Sequence, residues 1–357
     1  MNKLKKLGLT ALAGSLVAVS AQAGDLSVSG SANMTYKTNS NSDGKGLGQN
    51  SAWSMSGSGE LDNGWTVAHG IAITDAQTLS SSNTKLTMGS MGSIVVGQGY
   101  GGVAASYDEE VPQAYEQISE AGHNNAANYM GSWIDNGSVQ YQFPSLDAGG
   151  GSLAIAMSYA PNADDSQTTD GAVGTHGTYG NGYELGATLT TDMGLTLGAY
   201  GATREYTKLT ATTADSGGDQ FDGTFFIKYS NGPISVGYQQ SYVDVALPSS
   251  AETAATATKT IGTSTGIYED EAYSISFNVN DDLSVSYTNH DSTYDDQSNV
   301  KNGTETADVT QSQDAIQVAY SMGGLSISAY QMSTTNPGHR SNAGEIDVTE
   351  VAVGMAF

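Results

Sequence analysis

Asp108, Glu109, Glu110, Glu116 and Glu120 crowd into the stretch from Gly99 to Gly137, which holds no Lys or Arg. Carboxylates without basic neighbours concentrate cations and set up a fixed negative field. The plainer alternative is that they only hydrate a loop. Asp164-Asp165, Asp270-Glu271 and Asp295-Asp296 offer oxygens for weakly held Ca²⁺ or Mg²⁺. Their spacing fits no defined Ca²⁺ loop, and solvated loop charge explains them as well. The five histidines (His69, His123, His176, His290, His339) show no metal-ligand spacing, so no metal site and no cofactor is expected. Gly262-Thr263-Ser264-Thr265-Gly266 matches the G-x-S-x-G pattern of serine hydrolases. That chemistry needs a strand-to-helix elbow, and these residues lie in a Thr/Ala-rich run, so no enzyme is expected.

The elements that position these residues are strands. Leu26, Val28, Gly30, Ala32, Met34 and Tyr36 alternate with Ser27, Ser29, Ser31, Asn33 and Thr35. A period of two gives a strand with two chemically different faces. The pattern returns sixteen times, ending on Val351, Val353, Met355 and Phe357. Short Asn/Asp/Gly turns, such as Asp62-Asn63-Gly64 and Asn280-Asp281-Asp282, alternate with long polar loops. A soluble sandwich seldom needs so many strands with so little between them. The expected fold is therefore all-β: a 16-stranded antiparallel transmembrane β-barrel with short periplasmic turns and long external loops. In such a barrel the apolar register meets lipid and the Ser/Thr/Asn/Gln register lines water. Tyr36, Tyr159, Tyr183, Tyr229, Tyr238, Tyr273, Tyr287 and Tyr320 mark segment ends, where an aromatic with a polar tip suits the headgroup level.

The start of the chain reads as an export signal. Lys3, Lys5 and Lys6 precede an apolar run from Leu7 to Val19, and Ala21-Gln22-Ala23 resembles a cleavage site. About 13 apolar residues are too few for a membrane-spanning helix, which needs about 20. Residues 1–23 are thus expected to be removed, leaving 24–357 as one barrel domain. Loss of three lysines leaves nine basic residues against 37 acidic ones, a net charge of −28. That balance argues against nucleic acid as a partner. The absence of cysteine means that an exported chain must be held by something other than disulfides, and a closed hydrogen-bond ladder would serve.

Sixteen alternating strands, a long third loop at about 99–137 and a final strand Val351–Phe357 together resemble the general porins of Gram-negative bacteria. The resemblance implies an outer-membrane homotrimer, surrounded by lipid and lipopolysaccharide, in which the third loop folds into each barrel and narrows the pore. It makes Asp108, Glu109, Glu110, Glu116 and Glu120 the acids of a constriction facing a basic wall. Strand parity supplies Lys37, Lys85, Arg204 and Lys228 for that wall, fewer cations than the family pattern has. Phe357, by resemblance to outer-membrane barrels generally, would be read by the barrel-assembly machinery. The expected function is a water-filled channel for passive diffusion of ions and small hydrophilic solutes, preferring cations. A substrate-selective channel and a barrel-borne surface adhesin are the alternatives. The first would need an aromatic slide or an Arg/Lys track, which parity does not produce. His69 falls on the outward register, where lipid is costly, and marks either a protein-covered surface or a neutral His near the interface. Gly57, Gly59 and Gly70 on the early strands would let neighbouring subunits approach closely.

Overall fold

The computed structural model describes residues 26–40, 45–74, 78–119, 134, 136–163, 179–206, 219–244, 267–295 and 307–357. The expected leader, Glu120, His123, Asp164, Asp165, His176, the Gly262–Gly266 motif and Asp296 lie outside them.

Strand follows strand as the alternation predicts: β1 (Ser27–Asn39), β2 (Lys45–Glu60), β3 (Thr66–Ile73), β4 (Leu79–Thr87) and β5 (Ser93–Gln98). After the long loop come β6 (Ser138–Gln142), β7 (Leu146–Asp147), β8 (Gly151–Ala160), β9 (Tyr179–Thr191), β10 (Leu195–Tyr206) and β11 (Gln220–Asn231). The set closes with β12 (Ile234–Asp244), β13 (Ile267–Asn278), β14 (Leu283–Asp295), β15 (Val309–Met322), β16 (Leu325–Thr335) and β17 (Ile346–Ala356). β6 and β7 both pair with β8 and are two pieces of one stave, so the barrel has sixteen staves. The break falls at Phe143-Pro144-Ser145, where Pro144 has no N–H to give the ladder.

Every neighbouring pair is antiparallel, and β17 returns to β1 with Lys37 opposite Glu350 and Met34 opposite Val353. Gly30 and Phe357 exchange backbone hydrogen bonds of 2.7 and 2.9 Å, closing the ring at the short-turn rim. The Phe357 ring lies over Gly30, where a Cβ would stand only 2.5 Å from it. Closure pairs the edges that an open sheet would present to other chains.

The burial pattern is inside out. Outward residues such as Leu185, Ile316 and Val28 are 57, 66 and 64% exposed, whereas inward Gln239, Gln313 and Thr288 are fully buried. A soluble fold would lose stability from such an apolar exterior, at about 25 cal/mol per Å² left in water. The same exterior is the favoured one against hydrocarbon, provided that no backbone group is left unpaired. Among the described residues no helix is long and apolar enough to cross a membrane, which leaves crossing by strands untouched.

Candidate functional site

The segment after β5 does not leave the barrel. Gly99, Gly101 and Gly102 all take positive φ and turn the chain inward. At Gly102 a side chain is doubly forbidden: φ is +59°, and a Cβ would meet the Glu184 carboxylate at 2.5 Å. The loop then runs along the inner wall from β9 towards β17.

Its first half has an apolar seat. Val103, Ala104 and Tyr107 pack on inward-facing Tyr200, Ala202 and Phe226. Gly186 makes room for the Tyr107 ring, which a Cβ would meet at 2.4 Å. Glu184 accepts from Val103 N (2.8 Å), Ser158 Oγ (2.6 Å) and Tyr200 Oη (2.9 Å). Thr188 Oγ1 donates to Tyr107 Oη at 3.0 Å. Gln239 on β12 clamps the loop backbone. Its amide donates to the carbonyls of Tyr107 (2.9 Å) and Asp108 (2.6 Å), and its oxygen accepts from Glu110 N (2.5 Å).

The second half follows β13 to β17. Ser274 Oγ donates to Pro112 O, and Ala114 N donates to Ser286 Oγ at 2.9 Å. Gln317 on β15 accepts from Tyr115 N (2.8 Å) and donates to Glu116 O (2.7 Å). Ile118 is buried among Ala315, Tyr330, Met332, Ile346 and Val348. Burial pushes the Tyr107 and Tyr115 hydroxyls above the usual phenol range, so both remain protonated near neutral pH.

The acids expected at the constriction have different fates. Glu110 forms an ion pair with Lys228 of β11. Glu109, expected to line the pore, is 5% exposed and turned back into its own loop. Its carboxylate accepts from Ile118 N (3.1 Å), Ser119 N (2.9 Å), Ser119 Oγ (2.5 Å) and the Gln113 amide. Asp108 and Glu116 are half-buried on the loop. Of the inward cations, Lys37 pairs with Glu350 at 3.3 Å, and Lys85 donates to Gln142 Oε1 at 2.8 Å. Arg204 stacks on Tyr179, with its Cζ 3.4 Å from the ring centroid, and donates to Gln220 and to Ala163 O. Lys228 with Glu110 is one expected wall-to-loop pair that meets in contact, and the two lie on the same side of the lumen. At the short-turn end of β1 and β2 hydroxyls pair across the lumen wall, with Ser27···Ser56 at 2.7 Å and Ser29···Ser54 at 2.9 Å. A cavity of about 690 Å³ opens between Ala114 of the loop and the short-turn rim, lined by Asn278, Asp281, Asp282, Ser284 and Ser321.

Two other expectations change. Asp270 is buried on the inner face beside His290, with Oδ1 to Nε2 at 3.2 Å, whereas Glu271 points outward. Neighbouring strand residues face opposite sides, so this acidic pair cannot chelate one ion. Gly70 shares the inward register with Asn83, so it does not open the outer face, whereas Gly57 lies opposite outward His69. Among the described residues no group of three or more His, Asp or Glu stands ready to hold a metal.

No protein-family model matches the sequence, and neither does any curated protein sequence. Solved structures do match in fold. OmpT of Vibrio cholerae, an outer membrane protein, in its trimer form, aligns at TM-score 0.63 and 12% identity over 94% of this chain and 99% of that one. A refined porin structure aligns at 0.60 and 16% identity over 93 and 100%. OmpF of Salmonella typhi in complex with daunomycin aligns at 0.62 and 13% identity over 94 and 98%. At these identities the likeness is one of fold.

Proposed function

We propose that this chain is a porin-like channel of the Gram-negative outer membrane, through which ions and small hydrophilic solutes diffuse passively. The observation that carries this reading is the inside-out barrel with a polar lumen narrowed by the inward-folded loop after β5. Sixteen strands is the size at which a barrel keeps an aqueous channel. Among the described residues the inner wall offers mainly hydroxyls, amides and paired charges, and we read the chain as non-enzymatic.

We assign it a cation preference at low salt. With Glu110 paired and Glu109 turned back into its own loop, that preference rests on the general excess of acid rather than on a concentrated acidic ring. Loosely held Ca²⁺ or Mg²⁺ on the acidic loops belongs to the same reading. The chain works as a homotrimer, sitting in lipid and lipopolysaccharide after insertion by the barrel-assembly machinery. His69, bonded to Thr84 at 2.9 Å on the outward face, fits a subunit contact better than lipid. Planar-bilayer recording of the purified protein under a salt gradient tests the reading. It expects stepwise ohmic conductance with a cation-sided reversal potential. Absence of conductance from a folded, heat-modifiable oligomer would refute it.

A further inference from the structure

Glu350 lies on β17, in register with Lys37 of β1 on one side and Tyr330 of β16 on the other. Its side chain is 7% exposed, yet three different elements converge on it. Oε1 accepts from Tyr115 Oη of the loop at 2.9 Å. Oε2 takes Lys37 Nζ at 3.3 Å and Tyr330 Oη at 3.3 Å. Lys37 Nζ also stands 5.7 Å from the centre of the Tyr330 ring, which lies 6.1 Å from that of Tyr115. A charge this buried persists only when its oxygens are fully partnered, so losing one partner disturbs the others. Lys37 with Glu350 alone would be an ordinary wall pair. The Tyr115 hydroxyl brings the loop into it.

The two halves of the loop are seated on separate parts of the barrel. Residues 103–112 rest on β9 to β13, through Glu184, Phe226, Gln239 and Ser274. The tip rests on the last strands, through Gln317 of β15, Tyr330 and Met332 of β16, and Val348 and Glu350 of β17. The second seat is therefore incomplete until the final strand is in place, and its ion pair is incomplete until β17 meets β1.

We propose that Glu350 is a positioning residue for the constriction: at the closing seam it latches the loop tip through Tyr115, so the pore reaches its working width only once the barrel has closed. The inference rests on the channel reading above. It predicts a constriction that loosens when the latch is cut, without loss of the barrel.

The chain lacks cysteine, so a reporter disulfide can be introduced as Ala114→Cys with Ser286→Cys, a loop–wall pair already joined by a hydrogen bond. Tyr115→Phe removes only the latch hydroxyl, and Glu350→Ala removes the carboxylate. In single-channel records both variants should alternate between the native level and a higher one. The ratio of seated to unseated dwell should fall about tenfold or more for each charge-assisted bond lost. Oxidising the cysteine pair in the Glu350→Ala background should restore the native level. The same pair should oxidise about tenfold more slowly there than in the otherwise native chain, a readout independent of conduction. Should Glu350→Ala fail to give a heat-modifiable barrel, Tyr115→Phe carries the same test. A conducting native protein with unchanged dwell ratios in Tyr115→Phe overturns the latch, and so do equal oxidation rates. A native protein that never conducts overturns the channel reading, while the oxidation rates still decide the latch.

Discussion

Replacing Glu110 by Gln strips Lys228 of its partner and leaves an uncompensated ammonium on the inner wall beside the loop. In the native protein the two charges are in contact, so a passing ion meets a dipole, whose field falls off faster than that of a single charge. After Glu110→Gln, an ion about 5 Å from the ammonium in a water-filled lumen feels about 0.8 kcal/mol. That is about fourfold in local concentration, upward for anions and downward for cations. The permeability ratio of K⁺ to Cl⁻ should therefore fall by up to about sixteenfold before screening. Lys228→Gln should raise it by a similar factor, and the double variant should return close to the native value. Reversal potentials in KCl gradients measure all three. The shifts should shrink as salt rises, because the screening length drops from about 10 Å at 0.1 M to about 3 Å at 1 M. A Lys228→Gln shift toward anions, or none at all, would show that this pair does not face the permeating ions.

Glu109→Ala should orphan the Ile118 and Ser119 amides and loosen the loop by about 2–4 kcal/mol, seen as proteolysis between residues 99 and 137 of an otherwise intact barrel. His339 lies in the loop after β16, 2% exposed, with Nε2 3.0 Å from Ser292 Oγ and its ring against Tyr268 and Tyr294; burial lowers its pKa from 6.5 to about 4. The folded loop thus binds this proton less readily than the opened one. Its stability is intact above about pH 6.5 and is lost as pH falls toward 4, by about 3 kcal/mol. Hydrogen exchange at residues 336–345 should show that acid-induced opening, and His339→Asn, which suits the positive φ there, should flatten the pH dependence. Deleting Phe357 should sharply reduce assembled protein in the outer membrane of cells, while detergent-refolded protein still forms the barrel. Normal assembly in cells would leave its ring only the packing role over Gly30.

Strand parity is a local property, and for that reason the barrel was legible in the sequence. Each side chain's face follows from its neighbours two residues away, so Val28 outward and Ser29 inward needed no tertiary information. The same rule placed Lys37, Lys85, Arg204 and Lys228 on the inner wall, and the turn residues gave the rim. Parity does not say which inward residue meets which across the lumen. Nothing local sets Glu350 and Gln317 apart from other inward residues; what singles them out is Tyr115, 235 and 202 residues earlier in the chain, which comes to rest on them. One local signal did point to that seat: Tyr200, Phe226, Tyr330, Met332 and Val348 are apolar or aromatic on a register that should be wet. An inward apolar side chain in a water-filled barrel needs a cover, and the third loop supplies it. The acids of that loop were visible as a cluster, but a carboxylate's role depends on the donors within 3 Å. Glu109 found backbone amides and Glu110 found Lys228, a difference that only the folded loop could decide.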